Sequence, residues 1–211
     1  MTPRKCRLIF EQLRAADPAP RSELLYETPF QLLIAVILSA QATDKSVNLA
    51  TRELFRVAPT PAAMLGLGLV GLKRHIRTIG LYNAKATNIL ATCQRLVDSY
   101  DGQVPRERAA LEALPGVGRK TANVVLNVAF GEPTLAVDTH VFRVANRPGL
   151  ARGTTPRAVE DGLQRVIPPE FKLHAHHWLI LHGRYVCKAR APDCPRCLIA
   201  RWCEYEDKTP S

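Results

Sequence analysis

Residues 111–140 hold two groups that could do covalent chemistry, a lysine at the mouth of a helix and a carboxylate at the mouth of the next. The run opens Leu-Glu-Ala-Leu-Pro-Gly-Val-Gly-Arg-Lys-Thr-Ala and closes Val-Asp-Thr-His. Gly116 and Gly118 flank Val117 between two expected helices, 107–114 and 119–130. Glycine takes positive φ at little cost, so the amides of this turn, followed by Arg119, are expected to face outward and bind phosphate. Free N–H groups and the positive end of the helix dipole both favour an anion there. Ala122, Val125, Leu126, Ala129 and Phe130 share one apolar face of the second helix, and Val124 and Val128 lie near the opposite one. A helix apolar nearly all round is buried on more than one side, so Lys120 is expected to look into a crevice. Desolvation and the helix dipole would then disfavour its ammonium form, and a partly neutral amine is a nucleophile. On these residues alone, simple phosphate contact accounts for Lys120 as well. Asp138 follows an apolar run to the start of another helix, where a carboxylate is a preferred cap. Close to a lysine it could also serve as a base or steady a developing cation.

The second constellation is Cys187, Cys194, Cys197 and Cys203, spaced Cys-x6-Cys-x2-Cys-x5-Cys. Four thiolates in so short a stretch can surround one metal site. Zinc favours paired Cys-x2-Cys knuckles, and here only one pair is present. Uneven spacing around a single pair fits a cubane with one cysteine per iron better, with zinc as the alternative. Cys6 and Cys93 fall outside the set and read as apolar positions. His174, His176, His177 and His182 crowd one helix, but the cysteines offer the better metal site. Lys188, Arg190 and Arg196 lie among the ligands, either as solubilising charge or, on a rigid loop, as phosphate contacts.

These groups need elements to hold them. Helices are expected over 4–16, 30–39, 44–57, 72–78, 83–100, 140–147 and 172–186. Thr28-Pro29, Thr60-Pro61 and Thr155-Pro156 each pair a capping threonine with a first-turn proline. Phe30 to Ser39 is apolar throughout and belongs at the centre of a core. It leads into polar Ala40-Gln41-Ala42-Thr43-Asp44, whereas Ile79-Gly80-Leu81 shows two large apolar residues in a turn. Burial under a neighbouring helix is the plain reading of that turn.

The chain has 211 residues, 46% of them hydrophobic, with a formal net charge of +10. That length suits one domain or two small ones. The charge favours a polyanionic partner. No run reaches the length of a membrane span, the N-terminus lacks the apolar segment of a secretion signal, and six cysteines favour metal over disulfides.

Leu-Pro-Gly-Val-Gly-Arg-Lys-Thr-Ala followed by Val-Asp-Thr-His resembles the helix-hairpin-helix and Gly/Pro-Asp loop of base-excision DNA glycosylases. The four-cysteine tail narrows the resemblance to members with an iron-sulfur centre, and the likeness runs from Pro29 to Cys203. It implies an all-α fold of two helical lobes with a DNA groove between them. One lobe is a helical barrel, 22–132, including the helix-hairpin-helix 107–130. The other joins 1–21 to 133–211 and carries a 4Fe-4S cluster on loop 187–203. The resemblance implies excision of oxidised pyrimidines and β-elimination at the abasic site. Lys120 would attack the sugar C1′ and Asp138 would assist. Gln41 would fill the gap left by the extruded base, Leu81 with Ile79 beside it would wedge into the opposite strand, and Ser39, Asp44 and His140 would line the base pocket. Gly116, Val117, Gly118, Arg119, Lys188, Arg190 and Arg196 would contact DNA. The implied partner is duplex DNA with a damaged base or abasic site, met by a monomer in a bacterial-type cytoplasm and nucleoid. An adenine-mispair glycosylase shares much of this pattern but lacks a lysine at the Lys120 position, and a purely DNA-binding hairpin module would not need Lys120 with Asp138.

Overall fold

The computed structural model describes residues 1–210. Among them are eleven α-helices and two 3-10 turns, with no strand. The chain divides into two compact units, Ser22–Gly131 and Met1–Arg21 with Glu132–Ser211. No helix among the described residues is long and apolar enough to cross a membrane.

The first unit holds α2 (Pro29–Leu38), α3 (Asp44–Val57), α4 (Pro61–Gly66), α5 (Gly68–Ile76), α6 (Tyr82–Tyr100), α7 (Arg108–Glu112) and α8 (Arg119–Phe130). Every residue from Phe30 to Leu38 is buried. α3, α6 and α8 pack around α2, so its sequence, apolar but for Gln31, meets a neighbour on every side. Each such aliphatic or aromatic side chain contributes about 1.5–3 kcal/mol on burial. Thr28 and Thr60 cap α2 and α4 as the Thr-Pro pairs predict, each accepting a first-turn amide. The helix expected over 107–114 is shorter, because the chain turns at Ala113 to bring Pro115 under α6, where Thr92 Oγ1 donates to the Pro115 carbonyl at 2.7 Å.

The second unit holds α1 (Pro3–Ala16), α9 (Thr139–Asn146), α10 (Pro156–Val166) and α11 (Lys172–Tyr185). Thr2 accepts from the Lys5 amide, so Thr2-Pro3 is a further cap that places the start of α1 ahead of the expected residue 4. Phe10, Phe171 and Trp178 pack with ring centroids 5.8–6.2 Å apart. Trp178 Nε1 donates to the Asp17 carbonyl, which ties α11 to the end of α1. α9 lies against α11 so closely that a side chain at Gly183 would meet His140 Cβ at 2.9 Å.

Candidate functional site

The turn before α8 uses its glycines unequally. Gly116 has φ +78, and a Cβ there would meet Asn88 Cβ of α6 at 3.0 Å, so both backbone and space require glycine. Gly118 has φ −93 and stands in extended backbone as the N-cap of α8, with nothing near its missing Cβ. Only Gly116 therefore uses the positive φ expected of both. Val117 is buried and its amide donates to the Leu114 carbonyl. It anchors the turn from inside, and its amide does not face outward as the sequence suggests. Arg119 is held 3.8 Å from the Glu112 carboxylate of α7.

The middle of α8 is buried on all sides from Ala122 to Asn127, as its pattern predicts. Lys120 lies one turn earlier and is exposed. The buried setting expected for this amine is thus corrected: the first turn of α8 stands clear of the packed part of the helix. No side chain caps α8, so the amides of its first turn lack the partner that capping would give.

Asp138, half-buried, is the N-cap of α9. Its Oδ1 accepts from the amides of His140 at 2.9 Å and Val141 at 2.8 Å. The capping role is therefore real, and both bonds fall on one oxygen. His140 is half-buried, with Nδ1 3.2 Å from Arg143 Nη2.

Two further turns belong with Lys120 in the first unit. Ser39 ends α2 and donates from Oγ to the Val36 carbonyl. Gln41 follows, exposed and at φ +55, and half-buried Asp44 opens α3. Leu81 is 61% exposed at φ +60 as the N-cap of α6. A left-handed backbone costs a non-glycine residue about 1–2 kcal/mol. The two left-handed residues lie in neighbouring turns, with Gln41 O 3.7 Å from where a Gly80 Cβ would be. Ile79 is 2% exposed. It seals the turn from below and is not available to enter DNA as expected; of the two, only Leu81 is exposed.

Lys85 was not visible as a site residue in the sequence. It is 5% exposed, and its Nζ donates to the carbonyls of Leu38 at 2.8 Å and Ala40 at 2.6 Å. Burial lowers its pKa. The available signal was a lysine at the 85/89/92/96 spacing of the buried face of α6.

In the second unit Cys187, Cys194, Cys197 and Cys203 line one pocket with Arg147, His182 and Tyr205. All four are free thiols. Burial raises the Cys197 pKa to about 11, with Cys203, Cys187 and Cys194 adding repulsion and the Ile199 backbone opposing it. Cys203 is raised by the same burial. Four thiols around one space are a donor set that iron or another thiophilic cation would bind as thiolates, with release of their protons. No three His, Cys, Asp or Glu side chains among the described residues are grouped tightly enough to hold a single ion. The shared pocket, not a tight tetrahedron, is what brings the cysteines together. Burial holds the His182 pKa near 4, and its Nε2 is 3.6 Å from Cys197 Sγ.

The exposed cations Lys188, Arg190 and Arg196 stand on the same loop, Arg196 within 3.5 Å of Asp193. What fixes this loop is a pair of arginines, Arg143 on α9 and Arg147 at its C-cap. Arg143 donates to the carbonyls of Cys187 and Gly183, both at 2.8 Å. Arg147 donates to those of Lys188 and Ala189, reaches within 3.7 Å of Cys187 Sγ, and lies 4.5 Å from the Tyr205 ring centre. Their role escaped the sequence reading, although their spacing of four already put them on one helical face.

Residues 34–169 match the HhH-GPD superfamily of base excision DNA repair proteins. The chain is 61% identical over 200 residues to endonuclease III of Escherichia coli strain K12, covering 95% of each chain. It is also 61% identical to endonuclease III of Haemophilus influenzae strain ATCC 51907, again over 95% of each. Among solved structures, a trapped covalent intermediate of endonuclease III with DNA superposes with a TM-score of 0.91 at 46% identity, covering 97% of this chain and 96% of that one. A thermostable thymine-DNA glycosylase, at 24% identity and a TM-score of 0.84, shares the fold.

Proposed function

The chain belongs to the HhH-GPD superfamily of base excision DNA repair proteins and is a DNA glycosylase and AP lyase, and we propose that its substrates are oxidised pyrimidines in duplex DNA, with Lys120 as nucleophile. The observation that carries this reading is an exposed lysine in the first turn of a helix whose N-terminal amides have no side-chain cap. Those amides can take a phosphate, which brings the sugar to the amine.

The Lys120 amine forms a bond to C1′ as the bond from C1′ to the base breaks, and the base departs with the electron pair and takes up a proton. The nitrogen lone pair then displaces the ring oxygen from C1′, the oxygen leaves with its electron pair and takes up a proton, and an iminium remains. Removal of a C2′ proton then expels the 3′ phosphate, and water releases the lysine. Asp138 accepts a proton from the ammonium or steadies positive charge on the sugar. Its capping bonds use Oδ1, which directs Oδ2 elsewhere. Exclusion of water by bound DNA would desolvate the exposed Lys120 amine. Leu81 enters the stack and Gln41 fills the gap, offsetting the few kcal/mol that unstacking a base costs. Ser39, Asp44 and His140 face the extruded base. The enzyme works as a monomer at the bacterial nucleoid.

The four cysteines would hold a 4Fe-4S cluster, which a pocket shared by four thiols suits better than it suits one zinc ion with sulfur at about 2.3 Å. The cluster, when bound, supplies rigidity to the loop. Arg143 and Arg147 fix that loop's carbonyls, and Lys188, Arg190 and Arg196 meet phosphates.

Turnover on a panel of damaged duplexes, with borohydride trapping, tests the reading. Excision of oxidised pyrimidines with a covalent adduct is expected. Excision of adenine opposite a mispaired base, with no adduct, would overturn it. Iron and sulfide are expected in anaerobically purified protein, and stoichiometric zinc would overturn the cluster.

A further inference from the structure

Lys85 is a buried cation with no carboxylate against it. Its two side-chain bonds go to Leu38 O, in the last turn of α2, and to Ala40 O, next to Gln41. Its own amide donates to the Leu81 carbonyl at 3.1 Å. One residue thus touches the backbone of both left-handed turns. The neighbouring carbonyls of α2 are already satisfied, Ala35 O by the Ser39 amide and Val36 O by the Ser39 hydroxyl. The ammonium supplies the donors that remain, at the negative end of the α2 dipole. The same side of α6 continues to Asn88 against Gly116 and to Thr92, bonded to Pro115 O. α6 therefore fixes the Gln41 turn, the Leu81 turn and the hairpin turn to one rigid element.

We infer that Lys85 is a positioning residue for base extrusion: its ammonium locks the Gln41 turn to the helix that presents Leu81, so that gap-filler and wedge enter DNA as one body. Without it, the turn at Gln41 would keep only its internal bond from the Ala42 amide to the Ser39 carbonyl and lose its tie to α6, and the two side chains would insert independently. The cost would fall on unstacking a paired base, and far less on an abasic site, which has no base to unstack. The inference rests on the proposed roles of Gln41 and Leu81.

The test compares single-turnover excision of a paired damaged base with borohydride trapping on a preformed abasic duplex. Lys85→Met keeps the unbranched stem and removes the donors. It is expected to slow excision by about tenfold or more while trapping stays within about twofold, and Lys85→Arg, which still donates, is expected to restore part of the loss. Combining Lys85→Met with Gln41→Ala should be less than multiplicative, as expected of residues that act through one contact. Equal losses in excision and trapping would reduce Lys85 to a structural role and overturn the inference. So would a Lys85→Met enzyme with undiminished excision. If Lys85→Met fails to fold, Lys85→Gln, which keeps a donor for one carbonyl, carries the same comparison. Gln41→Ala and Leu81→Ala are run beside it: if neither slows excision, the roles of the turns fail and the inference with them; if they do and the Lys85 variants do not, the inference alone fails.

Discussion

α8 and α9 begin in opposite ways. α8 starts after Gly118, with no side-chain cap, an exposed lysine in its first turn and an arginine beside it. α9 starts after Asp138, whose Oδ1 receives two amides. Threonine caps five other helices, at positions 2, 28, 43, 60 and 155, while α5, α6, α7 and α11 share the bare start of α8; α8 differs from those four in the glycine turn and the exposed lysine at its mouth. A capped start satisfies itself and gives its carboxylate a fixed direction. An uncapped one leaves donors for an anion from outside. The first kind aims a charge, and the second receives one.

Lys120→Gln breaks the comparison most severely. Glutamine keeps much of the length and can still donate to phosphate, but it cannot form an imine. Borohydride trapping should vanish, excision should fall by several orders of magnitude, and affinity for a stable abasic analogue should stay within about tenfold, or 1.4 kcal/mol. A glutamine variant that still cross-links would assign the chemistry to another amine.

Asp138 separates aiming from capping. Asparagine is as good a cap as aspartate, so Asp138→Asn should leave thermal stability nearly unchanged. Its loss should appear in excision, about a hundredfold, with some trapping on a preformed abasic site surviving because Lys120 remains. Asp138→Ala should lose the same activity and in addition about 1 kcal/mol of stability, the usual value of a cap. Should asparagine excise normally, Asp138 is a cap and nothing more.

The two starts also differ in how far the sequence exposed them. Asp138 as a cap is local chemistry, read from one residue at the head of a helix, and Thr28, Thr60 and Thr155 were legible for the same reason. The buried stretch of α2 was legible because no amphipathic pattern interrupts it. Contacts between distant segments were not. Nothing local tells that Ile79 turns inward while Leu81 stays out, since both are large and apolar and only the path of the turn decides. The exposure of Lys120 depends on where the packed girdle of α8 ends, at Ala122. Arg143 and Arg147 look like surface charge until the Cys187 loop lies against them. The cysteine spacing picked out the four thiols that share one pocket and leaned towards iron over zinc, a preference that the resemblance strengthened.

Gly116→Ala tests the turn that leads into the bare start. The substitution meets both a left-handed φ of +78 and Asn88 Cβ at 3.0 Å. It should destabilise the protein by about 1–2 kcal/mol and weaken abasic-duplex binding in step with the distortion. A fully stable alanine variant would mean that the turn relaxes freely, and that its close approach to α6 does not set the position of α8.

Gly118→Ser gives the smallest effect and the sharpest reading. Gly118 has extended backbone at φ −93, and nothing lies within 4 Å of a Cβ there, so serine fits without strain. Its hydroxyl can accept from the Thr121 amide, as Thr28 accepts from Gln31 and Thr60 from Ala63. Serine exceeds glycine as an N-cap by only a few tenths of a kcal/mol, so the melting temperature should rise slightly. An amide that now has an internal partner is a poorer donor to a phosphate, and affinity for undamaged duplex should fall by about two- to threefold. Stability and binding are thus expected to move in opposite directions, which neither a general loss of structure nor a general gain would produce. If the serine variant melts higher and binds duplex as tightly as before, the open amides of α8 are not the phosphate site, and the contrast between the two starts is one of packing alone.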